Sequence, residues 1–186
     1  MKCFISLTAA LLLLGCGSAA PNPITWTECG GQVGDHACDF SFVQQSGEKW
    51  NLYDQYGSII VLDFSTMWCA YCQEAGKVAQ EIQNTHGGKD VVWATILLQN
   101  NYGQPPTVED LNEWASAFEM TSSPVLSGND SIIDPAGLAG YGVTTWPGIV
   151  IIDRDMTIAY ELKGWNEMQI KYWLDELTSP VEHEGK

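Results

Sequence analysis

Basic residues are scarce in this chain of 186 residues, which carries 8 Lys and Arg, 23 Asp and Glu, and only three histidines. The formal net charge at pH 7 is −15. So few cations do not form the basic patch that binds a phosphate backbone, and we therefore expect no nucleic-acid partner. The excess of carboxylates is typical of a solvated acidic surface that keeps a protein soluble, and it could also steer basic partners.

Long apolar runs are also lacking, because the run over residues 4–14 is too short to span a membrane as a mature helix. Met1 and Lys2 give it the positive start of an export signal. The run leads through Leu-Leu-Gly into Cys16, and this sequence resembles the lipobox of bacterial lipoproteins. The resemblance implies cleavage before Cys16 and lipid attachment to it. An ordinary secretory signal cut after Ala20 is the alternative, and either route exports the chain to a compartment where disulfides persist.

The lipobox resemblance also bears on location. Several acyl chains on Cys16 would anchor the protein stably, whereas a single chain binds a membrane only marginally. Gly17 and Ser18 lack the Asp that favours inner-membrane retention in some bacteria. We therefore expect a membrane-anchored lipoprotein that faces the periplasm or the cell exterior, with the outer membrane preferred.

The chain has six cysteines, and processing leaves four of them. Cleavage removes Cys3, and the lipid occupies Cys16, so two local pairs remain. In the first pair, Cys29 and Cys38 enclose a Gly-rich loop, which predicts a structural disulfide worth roughly 2–3 kcal/mol in the chain-entropy model. A second redox pair or a four-Cys zinc site stays open, although the cysteines of a zinc pair usually lie two to four residues apart.

The second pair is a Cys-x-x-Cys motif, Cys69 and Cys72, at the point where a predicted buried strand ends and a predicted helix begins. The motif alone is ambiguous between a redox pair and a metal site. At a helix N-terminus, unpaired N–H groups and the helix dipole stabilise a thiolate on Cys69. Cys72 follows nearly one turn deeper on the same side. The position therefore predicts thiol-disulfide exchange, in which Cys72 attacks a mixed disulfide formed on Cys69.

Alternating strand and helix patterns begin at residue 58. Apolar runs predict strands, and apolar stripes at helical spacing predict helices that begin near residues 69, 107 and 166. A further short helical segment is expected at 135–141. The predicted strands are 58–64, 91–98, 148–153 and 156–162, of which the last two form a hairpin. This order predicts an α/β fold with a mixed sheet and helices on both faces.

Two stretches resemble the thioredoxin superfamily. Residues 61–64, followed by Trp-Cys-Ala-Tyr-Cys at 68–72, resemble its active-site strand and helix, and residues 141–153 resemble the segment with its cis-proline. The elements before residue 58 and those ahead of Pro147 look most like the TlpA/ResA branch of membrane-tethered, extracytoplasmic members. The resemblance implies a thioredoxin-like three-layer sandwich with a central mixed β-sheet flanked by helices. It also implies thiol-disulfide exchange on exported proteins, a separate redox partner protein and no cofactor.

The resemblance assigns catalytic roles to four residues. Cys69 matches the nucleophile and Cys72 the resolving thiol, while Trp68 matches the aromatic residue that flanks the pair. Asp63 matches the carboxylate that lies beneath the second cysteine, where burial would raise its pKa and let it exchange protons with Cys72. The alternative for Asp63 is a strand-end carboxylate exposed to water.

Substrate binding is implied at Trp146 and Pro147. Pro147 matches the cis-proline beside which a substrate chain pairs in strand-like fashion. Trp146 departs from the smaller residues common before that proline, so it could narrow the groove or add a stacking surface. Ala70 and Tyr71 replace the Gly-Pro of thioredoxin, and Ser65 occupies a position that is often Trp.

Four segments follow from these observations. We expect a lipoprotein signal peptide in residues 1–15 and a lipid anchor, linker and disulfide-containing capping segment in residues 16–46. The thioredoxin-like domain would cover residues 47–178, and a C-terminal tail would cover residues 179–186.

A peroxiredoxin-type peroxidase is one alternative function. Thr66 stands three residues before Cys69, as in part of the peroxidatic motif, but Leu62 stands where that family has Pro. Pro147 falls where such enzymes need an arginine beside the thiolate, and the only Arg of the chain is Arg154. These departures favour exchange over peroxide reduction.

A copper chaperone of the same fold is the second alternative, and it is not an enzyme. Such proteins use a wider Cys-x-x-x-Cys and a distant His. The histidines here, His36, His86 and His183, fall before the fold, at a helix end and in the tail. We therefore expect no metal ligands.

Overall fold

The structure is a computed structural model that describes residues 24–86, 90–137 and 140–179. The predicted signal peptide, Cys3, Cys16 and residues 180–186 of the predicted tail lie outside the described residues. Within them the strands are β1 (Ser41–Val43), β2 (Lys49–Asn51), β3 (Ile59–Thr66), β4 (Val91–Gln99), β5 (Val125–Ser127), β6 (Gly148–Ile152) and β7 (Ile158–Lys163). The helices are α1 (Ala70–His86), α2 (Val108–Ala117) and α3 (Glu167–Thr178), with 3₁₀ turns at Tyr53–Gln55 and Asp130–Ile132.

A five-stranded mixed sheet forms the centre, in the order β5-β4-β3-β6-β7. The β3–β4 and β4–β5 pairs are parallel, whereas β3–β6 and β6–β7 are antiparallel. Every residue of β3 is buried, because this central strand is covered on both faces. The predicted thioredoxin-like α/β fold is confirmed, including the hairpin of β6 and β7.

The two faces of the sheet carry two separate apolar cores. Ile59 and Val61 point to the first core together with buried side chains of α1, α2 and α3, while Ile60 and Leu62 point to the second. The crossovers β3-α1-β4 and β4-α2-β5 run in the same direction across the sheet, and their common hand places both helices on one face. Among the described residues, the second face is covered by the segment before β3, a 3₁₀ turn and the loop before β6, and none of the three α-helices contributes a buried side chain to its core.

Side-chain caps begin α2 and α3 where the sequence predicts them. Thr107 accepts a hydrogen bond from the backbone N–H of Asp110, whose carboxylate accepts one from the N–H of Thr107, and the two form a capping box. Asn166 caps α3 by accepting from the backbone N–H of Gln169. These local signatures set the start of each helix.

Two short elements differ from the sequence prediction. The described residues of the segment expected to be helical, 135–137 and 140–141, are not in a helix, and a 3₁₀ turn capped by Asn129 precedes them at Asp130–Ile132. The strand β5 has three residues between Pro124 and Gly128, too few to show a period in the sequence. It forms because it pairs in parallel with β4 and becomes the edge strand of the sheet. The local sequence pattern does not predict this pairing.

The segment before β1 packs against the sheet. Cys29 and Cys38 form a disulfide with an S–S distance of 2.02 Å, and Cys38 is buried in the second core. Backbone hydrogen bonds join the N–H of Ala37 to the carbonyl of Met156 and the N–H of Gly34 to that of Ile158. The domain boundary at residue 46 stays a prediction. In the part of the chain that the structure describes, no helix has the length and apolar character needed to cross a membrane.

Candidate active site

The candidate site occupies the loop between β3 and α1, at the carboxyl end of the central strand. The backbone N–H of Met67 donates to the carbonyl of Gln99 at 3.0 Å, which ties the loop to the end of β4. The amide side chain of Gln73 donates to the carbonyl of Met67 at 2.9 Å. The loop that leads into α1 is therefore held by hydrogen bonds to the end of β4 and to Gln73 of α1.

Cys69 and Cys72 are joined in a disulfide across the first turn of α1, with their sulfur atoms 2.50 Å apart. The backbone N–H of Cys72 donates to the sulfur of Cys69 at 3.2 Å. Cys69 retains 8% exposure, while Cys72 is fully buried. An incoming sulfur can therefore reach Cys69 only, and the N–H of Cys72 is placed to stabilise a thiolate there.

Asp63 is fully buried in β3, so the alternative of an exposed carboxylate is wrong. The hydroxyl of Ser65 donates to its Oδ1 at 2.6 Å, and that of Thr95 donates to its Oδ2 at 3.2 Å. The indole N–H of Trp93 donates in turn to the Thr95 hydroxyl at 3.3 Å. Burial raises the pKa of Asp63 to about 7, and the hydrogen bonds from Ser65, Thr95 and Trp93 oppose that rise.

The pleat of β3 places Asp63 on the same face as Ile59 and Val61, which line the first core. Cys72 belongs to that core as well, so the carboxyl group and the buried thiol share one face of the sheet. The role of Asp63 as the proton acceptor of Cys72 stays a prediction.

Trp68 flanks the pair from the solvent side. Trp68 is 49% exposed, and its indole N–H donates to the Gln99 side chain at 3.0 Å. The side chain of Tyr71, within the Cys-x-x-Cys motif, is also exposed. Two exposed aromatic residues therefore adjoin the cysteines in the chain.

The peptide bond between Trp146 and Pro147 is cis. Because β6 pairs antiparallel with β3, with Phe64 opposite Gly148, Pro147 lies at the same end of the sheet as the Cys69 loop. The carbonyl of Pro147 accepts from the N–H of Gly164, which has a φ of +90°. The strand pairing therefore places Pro147 and the Cys69 loop at one end of the sheet, while the catalytic and substrate-binding roles of these residues stay predictions.

Sequence reasoning missed the partners of these residues. Ser65 is two positions from Asp63 and so shares its face, a relation that strand periodicity could have revealed. Thr95 is opposite Asp63 in the parallel pairing of β3 and β4, and Gln99 ends β4. No pattern in the sequence predicts the register of that pairing.

The described histidines have other contacts. His36 stacks on Trp26 with ring centroids 4.0 Å apart. A ring nitrogen of His86 is 3.0 Å from the carbonyl of Ile82, and the other is 3.3 Å from a carboxylate oxygen of Asp175. His183 lies outside the described residues. Across residues 24–86, 90–137 and 140–179, no three His, Cys, Asp or Glu side chains are grouped as metal ligands would be.

Comparison with known proteins by sequence identifies a family and a relative. The family described as AhpC/TSA matches residues 33–161, which is more than half of the chain. The thioredoxin-like protein YneN of Bacillus subtilis is 30% identical over 128 residues, which cover 68% of this chain and 69% of that protein.

Solved structures show the same fold. A thiol:disulfide interchange protein from Bacteroides sp. superposes with a TM-score of 0.66 at 15% identity, covering 82% of this chain and 93% of its own. The exposed lipoprotein thioredoxin Etrx1 from Streptococcus pneumoniae has a TM-score of 0.61 at 25% identity, covering 75% of this chain and 100% of its own.

Proposed function

This chain belongs to the AhpC/TSA family and is a thiol-disulfide oxidoreductase of thioredoxin type, and we propose that it acts on the disulfides or thiols of exported proteins. The observation that carries the proposal is the pair of cysteines at the start of α1, one reachable and the other fully buried. This asymmetry gives the two sulfurs different roles, as exchange through a mixed disulfide requires.

The chemistry proceeds in two displacements. In the reducing direction, the Cys69 thiolate attacks a substrate disulfide, forms a mixed disulfide and releases one substrate sulfur, which takes a proton from water. Cys72 then loses its proton to Asp63, and its thiolate attacks the sulfur of Cys69. The second substrate sulfur leaves, so that the substrate gains two electrons and the Cys69–Cys72 disulfide forms. The oxidising direction is the reverse.

The surroundings of Cys69 support a protein substrate. Trp68 and Tyr71 present exposed aromatic surface on one side, and the Trp146–Pro147 segment lies at the same end of the sheet. An extended substrate segment could pair with the backbone at Pro147, while its apolar side chains contact the aromatic rings. A redox partner protein would use the same surface to restore the pair.

An exported, membrane-anchored location completes the proposal. The apolar run that leads into Cys16 supports a lipoprotein signal, and the disulfide between Cys29 and Cys38 suits a compartment where disulfides persist. The likeness to an exposed lipoprotein thioredoxin supports the same location. We propose that Cys16 carries lipid and that residues up to 46 connect the anchor to the catalytic domain, with the outer membrane as the preferred site.

The peroxidase alternative requires a cation beside the thiolate. Arg154, the only Arg of the chain, donates to the carbonyl of Leu177 at 3.0 Å. It follows the far end of β6, roughly 20 Å along the strand direction from Pro147. Exchange is therefore favoured over peroxide reduction.

The test compares C72S with C69S. With a peptide disulfide as substrate, we expect C69S to be inactive and C72S to accumulate a mixed disulfide that mass spectrometry detects. Full multiple-turnover activity of C72S would show that the two-thiol mechanism is wrong. Hydrogen peroxide consumption by the reduced wild type, faster than peptide exchange, would instead favour a peroxidase. Tight copper binding that depends on both cysteines, without exchange, would favour a metal chaperone.

A further inference from the structure

The carboxyl group of Asp63 has one hydroxyl donor for each of its oxygen atoms. Ser65 serves Oδ1 at 2.6 Å and Thr95 serves Oδ2 at 3.2 Å, and all three side chains are fully buried. Trp93 holds the Thr95 hydroxyl at 3.3 Å. Strand register and the indole N–H therefore orient the hydroxyls toward the carboxyl group. Because all three side chains are buried, water does not replace the hydroxyls as hydrogen-bond donors.

The elements around Asp63 present apolar groups and the cysteines. From β6, Ile149 pairs opposite Asp63 and lies in the same core. The buried side chains of α3 in this core are Ile170 and Leu174. From α1 the titratable group in the core is Cys72, with Cys69 before it.

Charged groups on the same elements pair with one another. Lys77 of α1 pairs with Glu74 on the surface. His86 at the last turn of α1 faces Asp175 of α3. Lys171 of α3 bonds to Glu167 and approaches Glu81, while β7 turns Glu161 and Lys163 to the other face of the sheet. Among the described residues, no Lys, Arg or His side chain forms an ion pair with Asp63.

We propose that Ser65, assisted by Thr95, is a positioning residue that holds Asp63 ready to take the proton of Cys72 in the resolving step. The inference rests on the proposed function. A buried carboxylate without a cation can keep its charge only through hydrogen bonds to its charged form. The hydroxyls of Ser65 and Thr95 stabilise the charged form and oppose the effect of burial, so Asp63 ionises near neutral pH. An ionised Asp63 can then bind the proton that Cys72 releases. Ser65 contributes most, because its bond is the shorter of the two.

The test removes each hydroxyl and follows Asp63 directly. S65A removes the donor to Oδ1, T95V removes the donor to Oδ2 with little change in shape, and S65T restores a hydroxyl as the rescue variant. T66V is the matched control. Thr66 is the next residue of β3, fully buried, and its hydroxyl has no hydrogen-bond partner in the described structure. NMR of the ¹³C-labelled carboxyl group gives the Asp63 pKa in the oxidised protein without reference to activity.

We expect S65A to raise the Asp63 pKa by about one pH unit, which lowers the ionised fraction at pH 7 from about a half to about a tenth. The resolving step, measured by stopped flow, should then slow about fivefold at pH 7 and recover by pH 9, while the first attack by Cys69 is unchanged. T95V should also raise the Asp63 pKa and slow the resolving step, but by less than S65A. If S65A is too unstable to measure, T95V provides the same test. S65T should restore both quantities toward the wild type, and T66V should leave both unchanged.

An S65A variant with an unshifted Asp63 pKa would overturn the inference. So would equal slowing at every pH, because that result would indicate a structural role. If the wild type shows no exchange at any pH, the proposed function is wrong as well. If the wild type is active and S65A has the same pH dependence of the resolving step, this inference alone is wrong.

Discussion

The replacement of Asp63 by Asn tests whether the buried carboxyl group is held in a desolvated site. Burial raises the pKa of Asp63 from 3.8 to about 7. Between these values the folded protein keeps a proton that the unfolded chain releases, so the free energy of unfolding falls as the pH rises from about 4 to about 7. Over this shift the loss amounts to about 4 kcal/mol. The amide that replaces the carboxyl group cannot ionise, so the variant D63N should not show this loss.

We therefore expect D63N to gain stability over the wild type as the pH rises. The difference in unfolding free energy should be about 4 kcal/mol larger at pH 8 than at pH 4, and it should be complete above pH 7. The measurement is urea unfolding of both proteins at several pH values, with Cys69 and Cys72 kept oxidised so that neither thiol titrates. Taking the change between two pH values cancels any packing effect of the amide that does not depend on pH.

D110N is the control with the opposite sign. Partial burial raises the pKa of Asp110, but hydrogen bonds from the backbone and side chain of Thr107 and from Asn100 outweigh it and lower the pKa below its ordinary value. The folded state therefore gains stability from ionised Asp110 above the unfolded pKa and loses it as the pH falls. D110N should be less stable than the wild type at pH 8, and this deficit should shrink on acidification.

Two results would refute the reasoning about Asp63. An equal stability difference at pH 4 and pH 8 would mean that the carboxyl group ionises as it does in the unfolded chain. Lower stability of D63N at every pH, together with an unchanged resolving step, would mean that Asp63 acts only as a hydrogen-bond acceptor for Ser65 and Thr95. The proton-transfer role should then be dropped.

Two further predictions concern the stability of the domain and its anchoring. Gln80→Ala should lower the unfolding free energy by about 2–4 kcal/mol in urea titration, because its side-chain oxygen accepts from three backbone N–H groups in the loop after α2. Exposed Gln104→Ala should change it by less than about 0.5 kcal/mol, and equal effects of the two would contradict the assignment. Cys16→Ala should move the protein from membranes to the soluble fraction without altering exchange activity. Wild-type protein recovered unlipidated in the soluble fraction would show that the lipoprotein prediction is wrong.

Local chemistry determines much of what the sequence alone predicts. A buried strand that runs into Cys69 and a helix turn that brings Cys72 to the same side involve only neighbouring residues, so the spacing suffices to predict the redox pair. The caps at Thr107 and Asn166 are also set within four residues of each helix start. Such features can be inferred from sequence because their partners are near in the chain.

The tertiary structure decided what surrounds those cysteines. Thr95 reaches Asp63 because β3 and β4 pair in one particular parallel register, and a slip of one residue would turn the Thr95 hydroxyl to the opposite face. Gln99 reaches Trp68 for the same reason, and β5 is a strand only because β4 offers it a partner. These contacts join residues that lie far apart in the chain, and the energy that selects them comes from the packing of whole elements. The sequence therefore predicted the Cys69–Cys72 pair, while the fold determined which side chains contact Asp63 and Trp68.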